Sequence, residues 1–162
     1  MTFPAFTIQF NKIANTLKSK VTVLCNEDAE SFYALWDTGA TISCISHDVV
    51  QRLKLVPTGK MPIHTPSGQS ICNTYLVDIL LPNNVLVKDN QVCESEIGGQ
   101  GLGVLIGMNI ITQGDFSVSN FQGKTTFTFR IPSVKETDFV KEAQMQTITG
   151  THGPGKRKKK KH

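Results

Sequence analysis

No apolar run in this 162-residue chain approaches the ~20 residues that cross a bilayer as a helix, so no membrane partner is expected. The first twenty residues, MTFPAFTIQFNKIANTLKSK, have no basic start followed by an apolar core. A secretory leader is therefore not expected, and a cytoplasmic protein is. Cysteine is scarce. Cys25, Cys44, Cys72 and Cys93 include no C-x-x-C pair, and the four histidines add no H-x-x-x-H pattern. These spacings argue against a zinc site and for free thiols in a reducing compartment. Basic charge is scarcer than the net +4 implies. Six of the 17 basic residues crowd into KRKKKK, Lys156 to Lys161, and the other 11 stand against 13 acidic ones. The body of the chain is slightly acidic, so nucleic acid is an expected partner only through that tail.

What remains is one domain's worth of chain. With 39% hydrophobic residues it can build a core without disulfides or metal. Strand signals dominate. KVTVLC and SFYALW flank the polar turn NEDAE and predict a hairpin. TISCIS, after Gly39, is β-branched and alternating, which predicts a strand. SHDVVQRLKL predicts a short helix capped by Ser46, with Asp48 in its first turn. KMPIHTPSGQSI carries a turn signal at Pro66-Ser67-Gly68. TYLVDILL and VLVKDNQVC flank Pro82-Asn83-Asn84 as a further hairpin. The glycine-rich GGQGLG lacks the G-K-[ST] ending of a phosphate loop and is expected to be a loop. VLI is a short strand, MNIITQ one helical turn, and DFSVSN with TTFTFRI a last hairpin. Beyond Pro132 an exposed helix and then a disordered basic tail are expected. The fold class is mostly β, a small closed barrel with one or two short helices.

One stretch calls for chemistry. ALWDTGATIS ends an apolar strand on a carboxylate, Asp37. Burying an ionised carboxylate is costly unless it is paired, hydrogen-bonded or shares a proton. The bland reading is a turn residue at a sheet rim. A second stretch, VLIGMNIITQGDFSVS, sets apolar residues, Gly107, one variable residue, Asn109 and two more apolar residues ahead of a strand.

Together the two stretches resemble the retropepsin-like, or retroviral-type, aspartic protease family. The separation of Asp37 from Gly107 fits one lobe of that family, and the Thr65-Pro66-Ser67-Gly68 hairpin tip lies where the family carries its flap. The resemblance covers roughly residues 18 to 131. It implies an acid-protease lobe over 18–132, an N-terminal segment over 1–17, and an extension with a basic tail over 133–162. It departs from retroviral members at Thr41, where they carry an Asp, and at Met108, where they carry its Arg partner. Both members of that pair are missing together, which points to a non-retroviral, bacterial-type member.

The resemblance also implies a site. Asp37, Thr38 and Gly39 would be catalytic. Ala40, Thr65, Pro66, Ser67, Gly68 and Ile106 would contact an extended peptide substrate. Gly107 and Asn109 would brace the active-site loop from behind. Neither metal nor cofactor is implied. Asp78, Asp89, Asp115 and Asp138 all lack a following Thr-Gly, so the chain holds a single D-[TS]-G. Two carboxyls about 3 Å apart are needed to share a proton and split the roles of base and acid. The second must come from another copy, and the partner expected is a homodimer mate. Two other functions stay open at this point. One is a peptide-binding module of the same fold without catalysis. The other is a nucleic-acid-associated protein acting through its tail, which the salt dependence of binding with and without residues 150–162 would reveal.

Overall fold

The computed structural model describes residues 4–65, 68–97 and 101–150, with only the backbone of 64–65 and 146–150. Strands β2 (Leu17–Cys25) and β3 (Asp28–Trp36) form the expected hairpin around Asn26, whose φ of 55° suits the tight turn. Val21, Val23, Phe32, Ala34 and Trp36 are all buried, the period of two that a half-buried strand requires. Strand β4 is only Cys44–Ile45 and leads into α1 (His47–Arg52). The Ser46 side chain accepts from the Val49 amide, as its capping signal predicts, and Val49 and Leu53 pack inward.

Strands β5 (Gly59–Thr65), β6 (Gly68–Leu80), β7 (Leu86–Glu94) and β8 (Val104–Ile106) complete a seven-stranded sheet ordered β2-β3-β8-β4-β7-β6-β5. A further β2–β6 pairing closes it into the expected barrel. β6 serves both ends because its register against β7 shifts between Val77 and Ile79. At that shift the Asp78 carboxylate accepts the Asp89 amide at 2.8 Å. Below the shift β6 pairs with β5 as the hairpin; above it, with β2.

A separate three-stranded sheet, β1 (Ala5–Gln9), β10 (Thr126–Arg130) and β9 (Asp115–Ser119), covers one end of the barrel. Trp36 is the pivot between the two. It stacks on Phe116 at 5.7 Å and meets Phe129 at 5.0 Å and Phe6 at 5.5 Å. Its indole N–H donates to buried Ser19 at 2.9 Å, so burying the ring strands no polar group. The sequence suggested a leading segment over 1–17. Phe6 lies in the core and β1 pairs residue for residue with β10, so residues 5–9 belong to the folded body.

Two other expectations shift. Of TISCIS only Cys44–Ile45 is strand, because the backbone before it turns to meet α2 (Met108–Ile111). The C-terminal helix α3 (Phe139–Gly150) is present but begins later than expected, where the Asp138 carboxylate caps the Val140 and Lys141 amides. The chain ahead of it is tied down by Asp115, which accepts from the Ser133 hydroxyl and from the Val134 and Lys135 amides. The body therefore extends past the expected boundary at 132. Pro66, Ser67, Gly98 to Gln100 and the Lys156–Lys161 tail lie outside the described residues. Among the described residues no helix is long and apolar enough to cross a membrane.

Candidate active site

The Asp37 loop is built where three distant segments meet. β3 runs parallel to β8, with Trp36 beside Ile106, and the Asp37 amide donates to the Ile106 carbonyl at 2.9 Å. The barrel edge thus delivers Asp37 at the end of β3 while Trp36 anchors it from below. The Gly39 amide donates to Asp37 Oδ1 at 2.8 Å, which fixes the carboxylate and leaves its second oxygen without a partner in that turn. The Asp37 side of the loop faces outward: Thr38 and Gly39 are exposed, and Asp37 and Ala40 half-buried.

Behind the loop lies a polar hub. The Asn109 side-chain carbonyl accepts from both the amide and the hydroxyl-bearing oxygen of Ser43, at 2.8 and 2.7 Å. Ser43 Oγ in turn accepts from the Gly107 amide at 3.0 Å. Asn109 Nδ2 donates to Asn90 Oδ1 at 3.1 Å, carrying the hub into β7. The Met108 amide donates to the Ala40 carbonyl at 2.8 Å. Gly107 is required by space: a Cβ there would sit 2.7 Å from the Ile42 carbonyl group and 2.9 Å from the Ala40 oxygen. Asp37, Gly39, Ala40, Gly107 and Asn109 are therefore brought together. Ser43 is the member the sequence reading missed. Its signal was a serine interrupting a β-branched run, and a fully buried serine needs partners.

Ile106 is a correction. Its side chain is fully buried in the barrel core, so it does not face substrate; its contribution is the carbonyl that holds Asp37. Alternation along β8 points its side chain inward with Val104. At the hairpin tip Thr65 pairs with Gly68, whose φ is 126°, a conformation that favours glycine. Pro66 and Ser67, the other two expected contacts there, lie outside the described residues.

A groove of about 910 Å³ runs under the β5–β6 hairpin, with Ile63, Ile71, Cys72 and Glu94 among its walls. Asp37 is not among the described residues that line it. Glu94 organises the groove floor. It takes a 2.7 Å bond from His47 and a 2.8 Å bond from the Tyr75 hydroxyl. The His47 bond, chiefly, holds the Glu94 carboxyl below its ordinary range, while burial and then Glu94 push the Tyr75 hydroxyl up.

The four cysteines are free thiols, and the parallel β4–β7 register sets Cys44 directly beside Cys93. Their sulfurs lie 2.9 Å apart. The hydrogen bond from Cys93 holds the Cys44 thiol below its ordinary value, against burial and the nearby charges of Cys72 and Asp37. The same bond, with burial, pushes Cys93 up. Among the described residues no cluster of side chains is arranged to hold a metal ion.

A family model described as retroviral aspartyl protease matches residues 11–130. Among solved structures, a retropepsin-like aspartic protease from Rickettsia conorii is similar at 12% identity and a TM-score of 0.51. The match spans 80% of this chain and 96% of that one, and the likeness is one of fold. The solution structure of Simian Foamy Virus (mac) protease matches at 20% identity and a TM-score of 0.40, over 56% of this chain and 87% of that one. No curated protein matches.

Proposed function

Because the chain belongs to the retroviral aspartyl protease family, we propose that it is an aspartic endopeptidase whose active form is a homodimer built on two copies of Asp37. The observation that carries the reading is the loop itself. A D-T-G turn presents its carboxylate outward, held by its own Gly39 amide and backed by the Ser43–Asn109 hub. Such bracing preorganises a carboxylate against the charge changes of catalysis.

In this reading the exposed face of Thr38 and Gly39 meets the same face of a second copy across a twofold axis. Thr38 hydrogen-bonds across the axis and holds the two loops in register. The two Asp37 carboxyls come close enough that both cannot ionise, and they share one proton. The ionised one takes a proton from a water lying between them, and that water attacks the peptide carbonyl. The protonated one delivers its proton to the carbonyl oxygen. Ala40 leaves room for the substrate backbone. Residues 65–68 close over an extended peptide that adds as a strand, and the groove under the hairpin receives its side chains. The apolar walls Ile63 and Ile71 support a preference for apolar side chains around the bond. The four cysteines, all free thiols, support a reducing, cytoplasmic setting.

The test is digestion of a peptide library across pH, with and without pepstatin, at several protein concentrations. Pepstatin-sensitive cleavage on the acidic side of neutrality is expected, with a bell-shaped profile reporting two constants of the coupled pair. Activity per protomer should fall on dilution below the dimer dissociation constant. Constant activity per protomer down to concentrations where only monomer exists would rule the shared dyad out.

A further inference from the structure

We propose that Cys44 and Cys93 form a reversible disulfide site beside the Asp37 loop. The two residues are direct partners in the parallel β4–β7 pairing. Neighbouring strands lie about 4.7–4.9 Å apart, inside the roughly 4.4–6.8 Å between Cα atoms that a disulfide spans. The sulfurs, 2.9 Å apart, already face one another, and closure to about 2.05 Å is a shift of less than about an ångström shared between the side chains and the strands that carry them. Cys44 is half-buried, whereas Cys93 is buried at 1% exposure.

The division of labour follows from the environment. The bond between them holds the Cys44 thiol below its ordinary value and pushes Cys93 up, and Cys44 is the more exposed of the two, so Cys44 is the sulfur an oxidant meets first. Cys72 is the competing thiol on β6. Burial, first, and then Cys93 itself push it up to about 11, so it keeps its proton, and its Sγ lies 3.6 Å from the Met61 carbonyl.

The oxidant is of the peroxide class. Cys44 sulfur attacks one peroxide oxygen; the O–O bond breaks, Cys44 becomes a sulfenic acid and one water leaves. Cys93 sulfur then attacks Cys44 sulfur; the S–S bond forms, the S–O bond breaks, and the hydroxyl leaves as water with the Cys93 proton. Two thiols have lost two electrons and two protons, and one hydrogen peroxide has become two waters. A dithiol reductant reverses the bond by exchange.

The consequence for turnover rests on the peptidase reading above. Cys44 adjoins Ser43, and the Cys93 amide donates to the Ser43 carbonyl at 3.1 Å. A covalent bond there pulls on the hub that seats Gly107 and Asn109 behind Asp37. Small displacements at such a site cost rate steeply, up to about a hundredfold per ångström.

The full-length protein is treated with hydrogen peroxide, its remaining thiols are alkylated, and the digest is mapped without reduction. A Cys44–Cys93 crosslink that dithiothreitol removes is expected. It should vanish in both Cys44→Ser and Cys44→Ala, and persist in Cys25→Ser and Cys72→Ser. Alkylated Cys44 and Cys93 after oxidation, or a crosslink from Cys44 to Cys72, would overturn the site. Hydrolysis by the oxidised protein should fall at least about tenfold and recover on reduction. A complete crosslink with unchanged turnover would sever the site from catalysis. A crosslink in a protein that cleaves no peptide even when reduced would sink the peptidase reading and leave the thiol site standing.

Discussion

Beyond the bonds of its own turn, the Asp37 loop is tied to residues far along the chain: Asp37 to Ile106, Ala40 to Met108, Ser43 to Asn109 and Gly107. In the β5–β6 hairpin the ties run between chain neighbours, from the Gly59–Thr74 pair out to Thr65–Gly68 at the tip. Ile71 on this hairpin is 75% exposed, whereas Ser43 beside the loop is fully buried. The loop is over-determined by tertiary contacts, and the hairpin arm is held by its own ladder. That contrast suits the two tasks of the proposed enzyme, a fixed carboxylate pair and a cover that admits and releases peptide.

The sharpest break of the comparison is at Asp37 itself. Asp37→Asn keeps an acceptor for the Gly39 amide but cannot share a proton. Hydrolysis should fall by at least about a thousandfold, with the dimer intact by sedimentation or light scattering. Wild-type cleavage rates in this variant would end the aspartic protease reading.

Next in size is the hub. Asn109→Leu leaves the buried Ser43 amide and hydroxyl without their acceptor, at about 1–3 kcal/mol for each unsatisfied group. Denaturant unfolding should show a loss of about 2–6 kcal/mol together with most of the activity. Asn109→Asp, which retains an acceptor, should recover much of the stability. If Asn109→Leu is as stable as the parent, the loop is not held from behind in this way.

The hairpin should separate activity from stability. Gly68→Val places a β-branched residue at φ 126°, yet among the described residues beyond its chain neighbours no atom lies within 4 Å of the added Cβ. Strain at the tip should lower kcat/KM by about tenfold while shifting the melting temperature by only about 2–4 °C. Equal losses in both would make the hairpin a structural element and remove the cover from the proposal.

The smallest effects belong to the C-terminal extension. Val134, Phe139 and Val140 are largely exposed, so deletion after Lys135 should move the melting temperature by no more than about 2 °C. Deletion from Ser133 should cost more, because it removes the bonds that Asp115 accepts. Those bonds, led by the Ser133 hydroxyl, hold the Asp115 carboxyl well below the usual carboxylate range. The stability they give is present above the ordinary Asp pKa of about 3.9 and drains away as pH falls below it. Acid unfolding of Asp115→Asn should therefore be less steep below about pH 4 than that of the parent protein.

Much of this was legible along the chain because the signals were local. The alternation in β2 and β3, the Ser46 cap and the D-T-G motif are each set within a few residues by sterics, hydrogen-bond geometry or the burial of one face. The contribution of β1 to the core was missed because its anchor, Phe6, finds its partners more than a hundred residues away in β10. The expected strand over TISCIS was shortened for a similar reason: the burial of Ser43 is decided by Asn109, and local propensity yields to that hub.

The sequence by itself determined that one carboxylate of this type exists per chain, on a turn that ends an apolar strand, in a mostly β body with little basic charge. These are facts of composition and short-range pattern, and no tertiary contact alters them. Only the tertiary structure decided what stands around that carboxylate. The parallel pairing of β3 with β8 sets Ile106 against Asp37, and that of β4 with β7 sets Cys44 against Cys93. Register between strands 49 to 70 residues apart is fixed by how the whole barrel closes over its core, and that closure is a property no single stretch carries.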